Sequence, residues 1–220
     1  MKTDTQVKHD VLGEFKWDSR VEETDVRVEV DNGVVTLTGT VSSYAKRMAT
    51  QEAAHRVAGV LDVVNDVQVH VPGSLERIDT DIAQSVRHAL EWDVVVPDTQ
   101  IRSTVSHGWV TLEGEVGAWH ERDAAERAIR NLPGVRGVVN TIEVNLPYAK
   151  SETIHDEIEQ ALERRAERHA RHITIDVRDG TVELRGPIES WAEREAILGA
   201  ARYTPGVKKV EDHLRFAPYG

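Results

Sequence analysis

The stretch Asp31-Asn32-Gly33-Val34-Val35-Thr36-Leu37-Thr38-Gly39 decides the fold, because the chain contains three versions of it. The second is Ser106-His107-Gly108-Trp109-Val110-Thr111-Leu112-Glu113-Gly114, and the third is Arg178-Asp179-Gly180-Thr181-Val182-Glu183-Leu184-Arg185-Gly186. The copies are 75 and 72 residues apart, and both spacings hold without a gap across the surrounding sequence. A fixed period of this kind predicts a chain built from repeated structural units.

The residues before each copy predict a helix and then a strand. Apolar residues at i, i+4 and i+8 are typical of an amphipathic helix with a narrow buried face. They are Val7, Val11 and Phe15, then Ile82, Val86 and Leu90, then Ile154, Ile158 and Leu162. Strict alternation follows, which is the pattern of a half-buried strand. Its inward positions are Val26, Val28 and Val30, then Ile101, Ser103 and Val105, then Ile173, Ile175 and Val177.

Each repeated stretch predicts a tight hairpin and a second strand. Asn32-Gly33 and Asp179-Gly180 are the favoured chemistry of a two-residue type I′ turn, and His107-Gly108 is a poorer version. A glycine stands in the inward row of the second strand, where it permits close approach of another backbone. The alanines of the following helix are the expected neighbours of that glycine. The structural glycines of the three copies are Gly33, Gly39, Gly59, Gly108, Gly114, Gly134, Gly180, Gly186 and Gly206.

A second helix and a third strand complete each unit. The helix is predicted to end near Gly59, Gly134 and Gly206, and the pattern Gly-Val-x-x-Val begins the last strand. The fold class is therefore α+β, with three tandem αββαβ modules and two helices on one face of each three-stranded sheet. The predicted modules span 1–73, 76–147 and 151–217. Whether the third strand pairs with the second or the first is left open by the sequence.

Composition excludes several classes of protein. The chain has no cysteine, so disulfides and thiol nucleophiles are absent, and no segment approaches the roughly 20 apolar residues needed to cross a bilayer. The formal charge of −11 disfavours nucleic acid as a partner. The N-terminal residues lack a secretory pattern, so the sequence as written predicts a cytoplasmic protein.

The module resembles the BON domain. The resemblance rests on the order of elements, the Asx-Gly turn, the V-x-L-x-G second strand and the Gly-Val-x-x-Val stretches that begin at Gly59, Gly134 and Gly206. It covers nearly the whole chain, three times. Members of this family occur in osmotic-shock-induced periplasmic proteins, outer-membrane lipoproteins, mechanosensitive channels and secretin-like assemblies, and the domain is commonly described as phospholipid-binding. The resemblance therefore implies a stress-associated binding protein and makes periplasmic association an alternative location.

The leading functional hypothesis is a non-catalytic protein that binds a phospholipid surface or an envelope partner. A cytoplasmic protein–protein scaffold and a small-ligand or cation sensor are the alternatives. No nucleophile elbow, P-loop, zinc-protease or dinucleotide motif is present, so no catalytic residue, cofactor or metal is predicted. Gly134-Val135-Arg136-Gly137 spells a KH-type clamp, but it joins a helix to a strand and is not expected to bind nucleic acid. The sequence does not indicate an oligomeric state.

Aromatic residues are the first candidates for a binding surface. Tyr44, Trp119 and Trp191 stand where the second helix begins, and each is expected to staple that helix to its own core, with a lipid or partner anchor as the alternative. Trp17 and Trp92 close the first helix of two modules, where plugging the end of the core is favoured over binding. Trp109 is out of phase with the buried residues of its strand and is predicted to face an adjacent module or, second, a ligand.

A basic run in the third module is the other candidate. Arg164, Arg165 and Arg168 could bind phosphate groups, but compensation of the helix dipole and pairing with Glu163 and Glu167 is favoured. The same run contains His169 and His172, which are too few ligands for a predicted metal site.

Overall fold

The computed structural model describes residues 2–21, 25–73, 77–145, 151–165 and 173–216. Each module follows the same order of helix, strand, strand, helix, strand. The first module consists of α1 (Asp4–Trp17), β1 (Val26–Asp31), β2 (Val34–Val41), α2 (Tyr44–His55) and β3 (Asp62–Val69). The second consists of α3 (Asp79–Trp92), β4 (Ile101–Ser106), β5 (Trp109–Val116), α4 (Trp119–Ile129), β6 (Gly137–Asn140) and β7 (Glu143–Val144). The third consists of α5 (Ser151–Arg165), β8 (Thr174–Arg178), β9 (Thr181–Ile188), α6 (Trp191–Arg202) and β10 (Lys209–Phe216).

The sheets show that the third strand of each module pairs with the second strand. In the first module β1 and β2 are antiparallel, and β3 lies parallel to β2, with Val63 opposite Val35. The third module has the same order, and in the second module β6 and β7 both pair with β5. A helix between β2 and β3 returns the chain to the same end of the sheet, so their parallel pairing follows from that crossover.

One face of each sheet is covered by the two helices of its module. In the first module α1 packs against β1 and α2 packs against β3, and the two helices also contact each other. The predicted apolar positions of α1 are at most 1% exposed, and Ile154, Ile158 and Leu162 form the equivalent buried row of the third module. The α+β class and the three-module architecture are confirmed.

The hairpin turns are held by the first helix in two of the modules. Asn32 and Gly33 both have positive φ, as do His107 and Gly108, so the histidine adopts the same turn as asparagine. Asp4, at the start of α1, accepts hydrogen bonds from the backbone N–H groups of Asn32 (2.9 Å) and Gly33 (3.0 Å). Asp79 accepts the corresponding bonds from His107 (2.7 Å) and Gly108 (2.9 Å). The third module has Ser151 at this position, and a serine lacks the two carboxylate oxygens.

The glycine of the second strand has a different neighbour from the one expected. Gly39 has a φ of 132°, and a Cβ placed on it would overlap the carbonyl oxygen of Asp25, just before β1. Gly114 stands in the same relation to Gln100. The backbone closest to this glycine is therefore not that of the second helix, as predicted, but that of the residues that lead into the preceding strand of the same sheet.

The chain divides into two compact units. The first contains Met1–Gly114 and Arg122–Ile142, and the second contains Glu115–Glu121 and Glu143–Gly220. The second module thus contributes to both units, because the short segment around the start of α4 packs with the third module.

Candidate interaction surfaces

The tryptophans that end the first helices are almost fully exposed. Trp17 is 89% exposed and Trp92 is 85% exposed, so the expectation that they plug the core is wrong. The aspartate after each ring explains this placement. The Asp18 carboxylate accepts a hydrogen bond from the backbone N–H of Arg20, and the Asp93 carboxylate accepts one from Val95. These Asx turns end each helix directly after its tryptophan, so the ring stays on the solvent-facing side of the last helical turn.

The turn after Trp92 extends the apolar surface. Val94 is fully exposed and Val95 is 42% exposed, whereas Val96 turns back into the core. Trp92, Val94 and Val95 therefore form a compact exposed apolar tip, which we call the tryptophan tip. Large apolar groups exposed side by side are unusual in a soluble domain and often mark an interaction surface.

In the first module a charged cluster lies beside the exposed ring. Asp18 contacts Arg20 at 2.8 Å and Arg56 at 2.7 Å, and Arg56 also contacts Glu14 at 2.8 Å. The hydrogen bond from Arg20 is the main reason that the pKa of Asp18 lies well below its usual range, and Arg56 adds to the effect. The cluster joins the ends of α1 and α2 and so fixes the position from which Trp17 projects.

Trp109 points away from the helices, as the phase of its strand predicts. Its side chain is 46% exposed, and the ring lies against Gly137 on the neighbouring strand β6 so closely that any side chain at residue 137 would collide with it. The contact that fixes this ring is thus inside its own module, which does not support the predicted interface with an adjacent module.

Tyr44 links the first module to the second within the first compact unit. It is only 7% exposed and begins α2. Burial raises the pKa of its phenol, the Glu126 carboxylate adds to the rise, and a hydrogen bond from the backbone of Val138 opposes it. Glu52 of the same helix lies 3.7 Å from Arg130. Tyr44 therefore packs against α4 and the strand that follows it, not only against its own core.

Trp119 makes the corresponding contact with the third module within the second compact unit. Its indole Nε1–H donates a hydrogen bond to the backbone carbonyl of Val207 (2.8 Å), and the Arg202 guanidinium lies 5.9 Å from the ring centroid. The predicted staple to the module's own core does not include these contacts, in which both rings also reach the module that follows.

Trp191 lies on its own module. Its ring centroid is 5.8 Å from that of Phe216, and the Arg194 guanidinium stacks 4.6 Å from it. For this residue the predicted staple between helix and core describes the observed contacts.

An arginine occurs at the same position of the second helix in all three modules, and it belongs to none of the motifs that the sequence analysis describes. Arg47 donates a hydrogen bond to the backbone carbonyl of Asn65 (2.8 Å), and Arg122 donates one to the backbone carbonyl of Asn140 (2.9 Å). Arg194 pairs with the Asp212 carboxylate (2.8 Å). Superposing the sequence on itself at the 75- and 72-residue spacings would have found it. The position is structural, since it ties the second helix to the third strand.

The remaining candidates are charged. Helix α5 includes positions 164 and 165, but the side chains of Arg164 and Arg165, and all of Arg168, His169 and His172, lie outside the described residues. Glu183, Glu211 and His213 lie close together on β9 and β10. Glu183 pairs with Arg185 and Glu211 pairs with Lys209, so these carboxylates are already engaged in surface ion pairs.

Comparison with known proteins agrees with this architecture. The model of the BON domain matches residues 3–70, 78–145 and 150–218. The chain belongs to the BON domain family. Across the described residues, no helix of these BON modules is long and apolar enough to cross a membrane.

The BON modules also resemble a curated protein. Osmotically-inducible protein Y of Escherichia coli is 30% identical over 126 residues, which are 56% of this chain and 63% of that protein. The chain thus spans less than two thirds of that relative. Among solved structures, the C-terminal domain of CdsD, a structural protein of the type III secretion system of Chlamydia trachomatis, covers 96% of both chains at 13% identity with a TM-score of 0.26. A second CdsD structure gives a TM-score of 0.27 at the same identity.

Proposed function

We propose that this chain is a non-catalytic binding protein of the osmotic stress response that attaches to phospholipid surfaces through exposed tryptophans. The link to osmotic stress is supported by the similarity to osmotically-inducible protein Y. The attachment is supported by one observation above all: Trp17 and Trp92 occupy equivalent positions and are both more than four-fifths exposed. Tryptophan is the side chain most suited to the headgroup level of a bilayer, where its ring is apolar and its N–H stays hydrated.

The charge of the chain sets the kind of lipid surface. With a formal charge of −11, the protein is repelled by anionic headgroups at long range. Attachment through apolar rings needs no such attraction, and the tryptophan tip adds two valines to one ring. Binding should therefore be at least as strong on zwitterionic as on anionic vesicles, and salt should strengthen binding to anionic vesicles by screening the repulsion.

Vesicle flotation tests this proposal. The parent protein should float with phosphatidylcholine vesicles, and its tryptophan emission should shift to the blue. Replacing both exposed rings in Trp17→Ala/Trp92→Ala should weaken binding by at least about tenfold, since tenfold is about 1.4 kcal/mol and one buried aromatic ring covers about 150–250 Å² at ~25 cal/mol per Å².

Trp109→Ala is the matched control, because it removes a half-exposed ring from the sheet and leaves both helix ends intact. It should bind vesicles like the parent. Failure of the folded parent to float with either zwitterionic or anionic vesicles contradicts the proposal. Equal binding by the parent and the double variant contradicts the role of the two rings.

A further inference from the structure

Two rows of side chains on the outer face of the second module's sheet carry no charge. In β5 the alternate residues Val110 and Leu112 are buried in the core, so the residues between them lie on the opposite face. Strand pairing extends each row across β4, β5 and β6. The first row consists of Ser106, Trp109 and Gly137, and the second of Thr104, Thr111 and Val139. We call these two rows the neutral face.

The corresponding rows of the other two modules are charged. In the first module they include Glu29, Asp31 and Asp62. In the third module they include Asp176, Arg178, Glu183, Lys209 and Glu211. Depletion of charge distinguishes the centre of a binding surface from the rest of a protein surface. Because 30% of the chain is charged, two adjacent rows without any charge mark the second module as the one that binds an uncharged ligand.

Trp109 is held flat on the neutral face by the glycine beside it. A Cβ at residue 137 would overlap carbon atoms of the indole ring, so only glycine lets the ring lie against β6. Trp109 is still 46% exposed, and the face of the ring turned away from the strand is therefore open to solvent. The equivalent pairs are Val34 with Asp62 and Thr181 with Lys209. The ring and the glycine thus occur together, and the ring is in place before a ligand arrives, which lowers the entropy cost of binding.

Carbohydrates have the chemistry that this face requires. A neutral pyranose ring presents apolar C–H groups on its faces and hydroxyl groups around its edge. The C–H groups stack on the electron-rich face of an indole, and the hydroxyls of Thr104 and Thr111 can each donate one hydrogen bond and accept two. The two rows across three strands measure about 10 Å by about 7 Å, which accommodates a short sugar chain lying flat. We propose that the neutral face binds a neutral carbohydrate chain, with Trp109 as the stacking platform.

Other ligands that use tryptophan fit this face less well. Nucleic-acid bases also stack on indoles, but the neutral face offers no cation to their phosphates, and the chain charge of −11 repels them. A bilayer binds rings that project into the headgroup region, as Trp17 and Trp92 do, whereas Trp109 lies along its own sheet.

Isothermal titration of the full chain with cellotetraose, chitotetraose and maltotetraose tests the proposal. At least one of these neutral sugars should bind with a Kd of about 0.1–10 mM, and Trp109→Ala should weaken that binding at least about tenfold. Gly137→Ala keeps the indole but displaces it, so it should weaken binding as well. Val34→Ala, at the equivalent position of the first module, is the matched control and should bind like the parent.

A second pair of variants tests the need for an uncharged face. Thr104→Glu introduces the charge that the first module carries at Glu29, a position where the fold accepts it, and it should weaken sugar binding. Thr104→Ser keeps the hydroxyl and adds no charge, so it should bind like the parent. Circular dichroism should show that both variants are folded.

Three outcomes would overturn the proposal. They are a parent that binds none of the three sugars at about 10 mM, a folded Trp109→Ala that binds them as the parent does, and a dimer in sedimentation velocity that Trp109→Ala abolishes, which would assign the face to a second copy. Vesicle flotation of Trp109→Ala should be unchanged in every case, so this proposal and the lipid proposal fail independently.

Discussion

At the scale of single residues, Gly39 is the glycine of the first module that least tolerates a side chain. Its φ of 132° is rare for any residue with a side chain, and a Cβ would overlap the Asp25 carbonyl oxygen. We expect Gly39→Ala to lower the free energy of unfolding of this module by about 3 kcal/mol or more. Urea unfolding followed by circular dichroism measures this loss.

Gly13→Ala is the matched control, because Gly13 lies inside α1 and a methyl group added there would have no neighbour within 4 Å. Alanine is the better helix former, so this variant should be more stable by roughly 0.5–1 kcal/mol. Equal effects of the two substitutions would contradict the distinction between a required and an incidental glycine.

The sequence predicts the backbone conformation of the turn residues more directly than the exposure of the tryptophans. The positive φ of the turn residues follows from local chemistry, and it extends even to His107. The exposure of Trp17 and Trp92 follows from helical phase and not from their apolar character, because each ring lies two residues, or about 200°, beyond the last buried residue of its helix, Phe15 or Leu90. The aspartate that follows each ring then ends the helix.

At the scale of elements, Asp79 joins the start of α3 to the hairpin between β4 and β5. Hydrogen bonds from Gly108 and then His107 hold the pKa of its carboxyl below the usual value. A depressed pKa contributes stability above the ordinary value near 4, and the contribution is lost as the pH falls through the folded pKa. The melting temperature of the parent should therefore fall more steeply below about pH 4 than that of Asp79→Asn, which a calorimetric pH series measures.

Asp81→Asn is the control, because Asp81 is exposed in the same helical turn and its substitution removes the same charge. The acid sensitivity of this variant should match that of the parent. A parallel loss of acid sensitivity in both variants would assign the effect to net charge and not to the hydrogen bonds that Asp79 accepts from the hairpin turn.

The type and order of the elements are predictable from the sequence, but the pairing of strands and the contacts between elements are less predictable. Hydrophobic period and turn residues determine the helices and strands within each module, whereas strand order depends on pairing that periodicity does not encode. The carboxylates of Asp4 and Asp79 each accept hydrogen bonds from turn residues that lie 28 or 29 positions later in the sequence. No local sequence pattern predicts such a contact.

At the scale of the whole molecule, the repeat is fully visible in the sequence and the contacts between copies are not. An aromatic residue at a helix start can close its own core or reach the next module with the same local sequence. Tyr44 and Trp119 do the second and Trp191 does the first, although the three are equivalent. The local sequence at the start of the helix therefore does not determine which of the two contacts the ring makes.

Tyr44 makes the contact between the first two modules sensitive to alkali. Burial, and then Glu126, raise the pKa of its phenol above the ordinary value of 10. A raised pKa means that the contribution of Tyr44 to stability is complete below about pH 10 and is lost as the pH rises through the folded pKa. The urea midpoint of the parent should thus fall between about pH 9 and pH 11 more than that of Tyr44→Phe, which keeps the ring and cannot ionise. Tyr203→Phe, at a residue that is 52% exposed, should behave like the parent, and an equal alkaline loss in Tyr44→Phe would show that the buried phenol does not couple these modules to pH.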